Sequence, residues 1–161
     1  MSKHRPLNTQ GMIPTELLVS VCLVGGMLLM VTILIDKSVA LQRSRDLLRT
    51  NHIQRILGAI LEYQIDHAGD LPPGIIRSDT QAQMIAIPGQ VCTNVCDTMP
   101  VMDECLDLTT LIPTYMKTLP QDPFFTELGP SGYYIYRHDD GKAITVGACN
   151  TEIEAHLEAT R

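Results

Sequence analysis

Residues 17–35 read LLVSVCLVGGMLLMVTILI, a run of 19 residues without a charged side chain. With a rise of about 1.5 Å per residue, a helix of this length spans about 28 Å, close to the hydrocarbon thickness of a bilayer. The run therefore predicts a transmembrane helix. A cleaved secretory signal peptide is the alternative, because Ser38-Val39-Ala40 offers a small-x-small cleavage site. The length of the run, and the charges of Asp36 and Lys37 before that site, favour the transmembrane helix.

Glu16 directly precedes this run. A carboxylate in a membrane span costs about 2.5 to 3.5 kcal/mol at mid-helix and less near the interface, so it is seldom there without a partner. In one interpretation Glu16 is a helix-start acid at the level of the lipid headgroups, beside Thr15. In the other it pairs with a cation when copies of the chain assemble.

Composition limits the classes of partner. The chain has 161 residues, with 12 Lys and Arg against 18 Asp and Glu, for a net charge of −6. This length allows one anchored domain of ordinary size. Residues 1–11 hold Lys3 and Arg5 and no acid, which leaves 10 bases against 18 acids elsewhere. That acidic balance argues against a surface that binds nucleic acid through its phosphates, so no nucleic-acid partner is predicted.

An apolar stripe continues the helical pattern beyond the membrane run. It has the spacing of one helix face and consists of Ile53, Ile56, Leu57, Ile60 and Leu61. We expect the helix to extend from Pro14 to about His67, over about 80 Å. Gly69 should stop it, with Pro72 and Pro73 just beyond. Residues 36–68 then form the continuation of the helix, and residues 69–161 form a globular α+β region.

The clearest β signal lies near the end of the sequence. Tyr133–Arg137 and Ala143–Ala148 flank Asp139-Asp140-Gly141-Lys142, in which Asp-Gly suits a type I′ turn. That turn places Tyr133 opposite Ala148, Ile135 opposite Val146 and Arg137 opposite Ile144, which leaves one face mostly apolar. The predicted fold is α+β: a long helix whose C-terminal half packs on a small antiparallel sheet. A short strand at Met84–Ile87 and a short helix at Cys105–Met116, interrupted by Pro113, are also expected.

Four cysteines follow the apolar run: Cys92, Cys96, Cys105 and Cys149. An even number suits two disulfides in an oxidising compartment and favours a C-terminal region outside the cytoplasm. If all four are paired, Cys149 joins one of the other three, and the remaining two bridge each other. A zinc site is the alternative, although Cys-x3-Cys is not the commonest spacing of a close ligand pair. No metal site and no cofactor are predicted.

Catalytic motifs are not found in the sequence. It contains no His-Glu-x-x-His, no Gly-x-Ser-x-Gly and no phosphate-binding glycine loop. The histidines beyond the leader are scattered, at His52, His67, His138 and His156. We therefore predict that the protein is not an enzyme and name no catalytic residue.

The segment Gly11-Met12-Ile13-Pro14-Thr15-Glu16-Leu17 follows a short basic leader and precedes the apolar helix. It resembles the class III signal of type IV pilins and pseudopilins. The resemblance implies that a prepilin peptidase cuts between Gly11 and Met12, that the new N-terminus is methylated, and that Glu16 takes the Glu position of the family. It also implies a leader at residues 1–11 and a transmembrane and assembly helix at residues 12–35.

Three later segments are similar to the same family, more loosely. Tyr63-x-x-Asp66-x-x-Gly69-x-Leu71-Pro72 resembles the end of the long first helix, and Leu119-Pro120-Gln121-Asp122-Pro123 resembles a Pro-x-Asp-Pro turn. Residues 132–135 and 144–146 are similar to the terminal strands. The calcium-binding C-terminus of major secretion pseudopilins has no counterpart here.

The resemblance implies a structural subunit of a type IV pilus or pseudopilus. Its expected location is the cytoplasmic membrane, in a single pass with the C-terminal region outside the cytoplasm, and then a filament at the cell surface or in the periplasm. The implied partners are other copies or related pilins, the prepilin peptidase, the pilus or secretion assembly machinery, and membrane lipid. Pairing of one subunit's Met12 ammonium with another's Glu16 would offset the cost of the buried carboxylate. The alternative is a membrane-anchored extracytoplasmic ligand-binding domain that does not polymerise.

Overall fold

The computed structural model of the chain describes residues 14–78, 80–92, 96, 99–124, 129–138, 141 and 143–161. It consists of one long helix, five strands and one 3-10 helix. The helix α1 is Pro14–Asp66, the 3-10 helix is Thr109–Leu111, and the strands are β1 Gln83–Ala86, β2 Leu106–Asp107, β3 Tyr133–Arg137, β4 Ile144–Ala148 and β5 Glu158–Thr160. The fold is thus α+β, as predicted. It divides into two compact units, one ending at Ala40 and the other comprising Leu41–Arg161.

The helix α1 ends within one residue of the predicted position. Ala68 and Gly69 both have positive φ, at 54° and 97°, and the Gly69 N–H donates to the Gln64 carbonyl at 2.7 Å. Its donor and acceptor residues are five positions apart, which is the wider sequence spacing of the two hydrogen bonds in a Schellman motif. The left-handed position two places after Asp66 is therefore occupied by Ala68, and the predicted stop residue Gly69 comes one place later.

The five strands form one mixed sheet in the order β2-β1-β3-β4-β5. The prediction of an antiparallel sheet holds for three of its pairs and is wrong for the fourth, because β1 and β2 run parallel. The predicted hairpin register is confirmed: Ile135 pairs with Val146, Tyr133 with Ala148, and Arg137 with Ile144. Of the predicted turn, Asp139, Asp140 and Lys142 lie outside the described residues.

The predicted helix at Cys105–Met116 is wrong. Leu106 and Leu108 are buried while Asp107 between them is exposed, which is the alternation of an extended strand. The Asp107 carboxylate then accepts from the Thr109 N–H at 2.8 Å and turns the chain into the 3-10 helix. The strand expected at Met84–Ile87 is present one residue earlier, as β1. No strand was predicted at β5, because its three residues are too few to show a repeated alternation of polar and apolar side chains.

The C-terminal half of α1 packs on the apolar face of the sheet, as predicted. Ile53, Ile56, Leu57 and Ile60 are at most 2% exposed and share one cluster with sheet residues that include Tyr133, Ile135, Val146 and Ala148. Full burial of such a side chain contributes about 1.5 to 3 kcal/mol. The last residue of the predicted stripe, Leu61, is only half-buried.

A second, smaller core covers the opposite face of the sheet. Met84, Tyr134, Cys92 and Cys149 are buried there. Tyr134 lies over its strand partner Gly147, where an added Cβ would overlap the phenol ring. Glycine at this position therefore makes room for the ring, whose hydroxyl donates to the Glu158 carboxylate on β5.

Candidate functional site

The first unit presents an apolar helix surface that no other described residue covers. Every large apolar side chain described between Leu17 and Leu34 is 46–73% exposed. The stretch belongs to the one helix among the described residues that is long and apolar enough to cross a membrane, with a mean hydropathy of 2.7 in its most apolar window. An exposed apolar surface of this extent needs lipid or other protein as its environment.

Glu16 lies in the first turn of α1 as the structure describes it, and it is exposed. It is the only charged residue between Pro14 and Ile35. No cation forms an ion pair with it among the residues that the structure describes. The predicted cleavage residues, Gly11 and Met12, lie outside those residues, so the geometry of the proposed pair of Met12 and Glu16 is not part of the described structure.

The other polar groups of this stretch bond to their own helix. The Ser20 hydroxyl donates to the Leu17 carbonyl at 2.8 Å, and the Thr32 hydroxyl donates to the Leu29 carbonyl at 2.9 Å. Hydroxyls satisfied in this way can lie in a lipid environment. Gly25 and Gly26 have no neighbouring atom within 4 Å of the position that a Cβ would take. They leave a shallow place on the helix where another helix can approach closely.

A buried cluster of charges in the second unit was not predicted. Arg49 is fully buried and donates to three carboxylates: Nε to Asp122 at 2.6 Å, and Nη1 to Asp46 at 2.7 Å and to Glu152 at 2.9 Å. Arg45 also forms a hydrogen bond with Glu152, in which Nε donates to Oε1 at 2.7 Å. These five residues, two arginines and three carboxylates with a formal charge of −1, are called the Arg49 cluster below.

The Arg49 cluster joins α1 to two loops that are distant in sequence. The Asp46 carboxylate accepts from the backbone N–H groups of Glu152, Ile153 and Glu154, with the shortest bond, from Ile153, at 2.8 Å. Asp122 accepts from the N–H of Phe124 at 2.8 Å, and the Phe124 ring lies 5.0 Å from the Arg45 guanidinium carbon. Charge-assisted bonds of this kind are about twice as strong as neutral ones. The cluster therefore fixes the loop after β4 and the turn at Asp122 against the helix.

Hydrogen bonds outweigh the effect of burial on the pKa values of Asp46, Glu152 and Arg49. Burial alone would raise the pKa of Asp46, but the N–H of Ile153 and the Arg49 guanidinium lower it below its usual value. The hydrogen bond from Arg45 lowers the pKa of Glu152. Burial would lower the pKa of Arg49, but its bonds to the three carboxylates raise it above its ordinary value. All three residues consequently stay charged at neutral pH.

One sequence signal could have indicated this cluster. Arg49 lies four residues before Ile53, so it lies on the buried face of α1 and not on its polar face. A buried arginine requires carboxylate partners. The identity of those partners is not readable from the sequence, because Asp122 and Glu152 are 73 and 103 residues away.

The four cysteines beyond the apolar run form two disulfides. Cys92 is bonded to Cys105, and Cys96 to Cys149. This is one of the three arrangements that the sequence left open. The disulfides tie the segment around Cys92 and Cys96 to the strand β2 and to the end of β4. Cys22 in the apolar helix is free and exposed.

The four histidines that the structure describes have different surroundings. The His52 Nδ1 lies 2.7 Å from the hydroxyl of Tyr133, and the His138 Nε2 lies 3.0 Å from the hydroxyl of Thr145. His67 stacks on Tyr63, and His156 is exposed. Within the described ranges, no three His, Cys, Asp or Glu side chains come together in a way that could hold a metal ion.

No protein family, curated protein or solved structure matches this chain.

Proposed function

We propose that this chain is a structural subunit of a filament of the type IV pilus or pseudopilus kind. It is anchored in the membrane by its N-terminal helix and polymerises through that helix after its leader is removed between Gly11 and Met12. Its partners are then other copies or related pilins, the prepilin peptidase and the assembly machinery.

The observation that carries the proposal is the combination of an exposed apolar helix with a single carboxylate, Glu16, that has no ion-pair partner among the described residues. A lipid bilayer satisfies the apolar side chains between Leu17 and Leu34, but its hydrocarbon core offers no counter-ion to Glu16. A staggered array of identical helices covers the same apolar surface and can place the Met12 ammonium of one copy beside Glu16 of another. Two separate features of the helix are then explained by one assembly.

The disulfides support a location outside the cytoplasm for the second unit. Disulfides persist in oxidising compartments and are rare where thiols are kept reduced. The two bonds formed by Cys92, Cys96, Cys105 and Cys149 therefore agree with a C-terminal region in the periplasm or at the cell surface.

The mature N-terminus of the protein tests the proposal directly. Mass spectrometry of the chain purified from its own membrane should find a methylated Met12 as the first residue. A chain that retains Met1 would support an anchored ligand-binding domain that does not polymerise. A chain that starts at Leu41 would show that residues 1–40 are a secretory signal.

A second experiment tests the role of Glu16 in assembly. Filaments sheared from cells that express Glu16→Ala should be reduced about 100-fold, because each subunit contact would bury an ammonium without a partner at a cost of about 2.5 to 3.5 kcal/mol. Glu62→Ala is the matched control, since Glu62 is an exposed carboxylate farther along the same helix. A normal filament yield from Glu16→Ala would contradict the proposal that Glu16 pairs with the new N-terminus.

A further inference from the structure

One face of α1 in the second unit carries apolar and charged side chains at intervals of seven residues. Side chains separated by three, four or seven residues lie along one stripe of a helix. The stripe on the side of α1 that does not pack on the sheet is called the outer face below, and it includes Leu41, Leu48, Arg55, Gly58, Glu62 and Ile65. Apart from Gly58, which is half-buried, these six residues are exposed.

Three apolar side chains project from the outer face. Leu41, Leu48 and Ile65 are 58%, 48% and 79% exposed. Gly58 forms a notch between them, since no atom lies within 4 Å of the position that its Cβ would take. Single exposed apolar residues are normal on a protein surface. Projecting apolar side chains and a notch along one line, however, are the features with which helices pack together, so the outer face suits another helix.

Arg55 and Glu62 give the outer face two opposite charges. Neither residue forms an ion pair among the residues that the structure describes. Neither has an opposite charge three or four residues away on α1, where a partner on the same helix would lie. Both side chains are solvated in the single chain and need no partner there. Their seven-residue spacing, which corresponds to about 10.5 Å along the helix, matters when two copies lie side by side.

Only one shift of whole seven-residue repeats matches the outer face to that of a parallel second copy. Without a shift, Arg55 lies opposite Arg55 and Glu62 opposite Glu62, and like charges in such positions are unfavourable. A shift of 14 residues sets Leu41 against Arg55 and Leu48 against Glu62. A shift of seven residues sets Arg55 of one copy beside Glu62 of the other, and Leu41 beside Leu48.

We propose that the outer face binds a second copy of this chain, parallel to the first and shifted by seven residues. The proposal rests on the proposed filament, which supplies parallel copies anchored in one membrane. The same shift sets Ile65 of one copy against the notch at Gly58 of the other, and the apolar stem of Arg55 over Leu48. The opposite charges select the partner and the register more than they add to the strength of the contact.

Disulfide formation between introduced cysteines measures the register. The full chain is expressed in cells with Cys22→Ala, so that the free cysteine of the apolar helix cannot react. In this background, mild oxidation should convert Leu41→Cys/Leu48→Cys into covalent dimers and longer ladders, because its two sites meet between shifted copies. Either single variant should stay monomeric. Leu41→Cys/Leu47→Cys is the matched control, since Leu47 is exposed but lies off the outer face, and it should form no ladder.

The possible results separate this contact from the proposed function. A ladder absent from Leu41→Cys/Leu48→Cys in cells that still make filaments would overturn the contact and leave the filament standing. Dimers of either single variant would show unshifted copies and overturn the register. A crosslink to a different protein would assign the outer face to that protein and also overturn the proposal. A chain that keeps Met1 and makes no filament would contradict the proposed function and this contact together.

Charge reversal tests the pair of Arg55 and Glu62. In the Leu41→Cys/Leu48→Cys chain, Arg55→Glu should lower the yield of crosslinked product at least about threefold, because it opposes two carboxylates. Arg55→Glu/Glu62→Arg should restore the yield, and failure to restore it would overturn the pairing. Arg43→Glu, at an exposed position off the outer face, should have no effect.

The loss of Glu62 alone should be mild. Exposed ion pairs contribute little, so Glu62→Ala should lower filament yield by less than about fivefold. That loss is far below the change expected of Glu16→Ala, so Glu62→Ala still serves as its control. A loss from Glu62→Ala as large as that from Glu16→Ala would contradict a role for Glu62 in register alone.

Discussion

The Arg49 guanidinium donates from Nε to Oδ2 of Asp122 across 2.6 Å, and neither side chain has any exposed surface. The two residues are 73 positions apart, one on α1 and the other in a turn. Their contact is therefore a tertiary bond between the helix and the part of the chain that follows β2. Removal of one partner of this bond should be strongly destabilising, because a buried charge without its partner is among the largest single penalties in a protein.

Replacement of Arg49 by Met should lower the free energy of unfolding by about 3 to 5 kcal/mol, because it leaves Asp122 buried and Asp46 and Glu152 close together without their shared cation. Urea unfolding followed by circular dichroism measures this change. Arg43→Met is the matched control on an exposed position of the same helix and should change the free energy by less than about 0.5 kcal/mol. Similar losses for both variants would contradict a special role for Arg49.

Acid should begin to destabilise the second unit near pH 6.5, through His52. Burial, together with the nearby Arg55, lowers the pKa of this imidazole in the folded protein. The unfolded chain therefore binds the proton first, so stability is complete above the unfolded pKa of about 6.5 and is lost as the pH falls toward the folded value. Urea unfolding at pH 7.5, 6.0 and 5.0 should show this loss, and His52→Gln should largely remove it.

The matched control for that series is His156→Gln, which removes an exposed imidazole. It should keep the pH dependence of the unaltered chain between pH 7.5 and 5.0. A second loss is expected below about pH 4, because the folded pKa values of Asp46 and Glu152 are lowered and the stability they contribute disappears as they are protonated. A flat profile from pH 7.5 to 5.0 in the unaltered chain would refute the assignment to His52.

The two disulfides should contribute unequally to stability. Their cysteines are 13 residues apart for Cys92–Cys105 and 53 apart for Cys96–Cys149. Loop entropy in the unfolded chain predicts about 3 kcal/mol for the shorter link and about 4 kcal/mol for the longer one. For each disulfide, a variant with both cysteines replaced by Ala is made. The urea midpoints of the two variants show which disulfide contributes more to stability. A greater loss of stability on removal of Cys92–Cys105 would show that local packing, and not loop length, decides the contribution of each disulfide.

Ala68→Gly should stabilise the protein by about 0.5 to 1 kcal/mol. Ala68 has a φ of 54° at the end of α1, where an L residue with a Cβ is strained and glycine is not. The same substitution at Ala59, a buried residue inside α1, should instead destabilise by about 1 kcal/mol or more. Thermal unfolding of the two variants gives opposite shifts if this interpretation is correct, and a lowered midpoint for Ala68→Gly would contradict it.

Elements with a local signal were predictable from the sequence. The apolar stripe from Ile53 to Ile60 predicted the helix and its buried face. The alternation on both sides of Asp-Gly predicted the register of β3 and β4. The segment after Cys105 was misassigned because Leu108 and Leu111 have helical spacing while Leu106 and Leu108 have strand spacing, and only the parallel pairing with β1 decides between them. The Arg49 cluster depends on contacts between distant segments, which one sequence does not reveal.

The bonds from Asp46 to the backbone at Glu152 and Ile153 also have a consequence for the timing of folding. These residues are 106 and 107 positions apart. At a synthesis rate of about 5 to 20 residues per second, Asp46 leaves the ribosome roughly 5 to 20 seconds before its partners do. During that interval the charged side chains of α1 remain hydrated and the apolar stripe beside them is uncovered. The hydrogen bonds that close this end of the second unit can therefore form only after residues 152 and 153 have emerged.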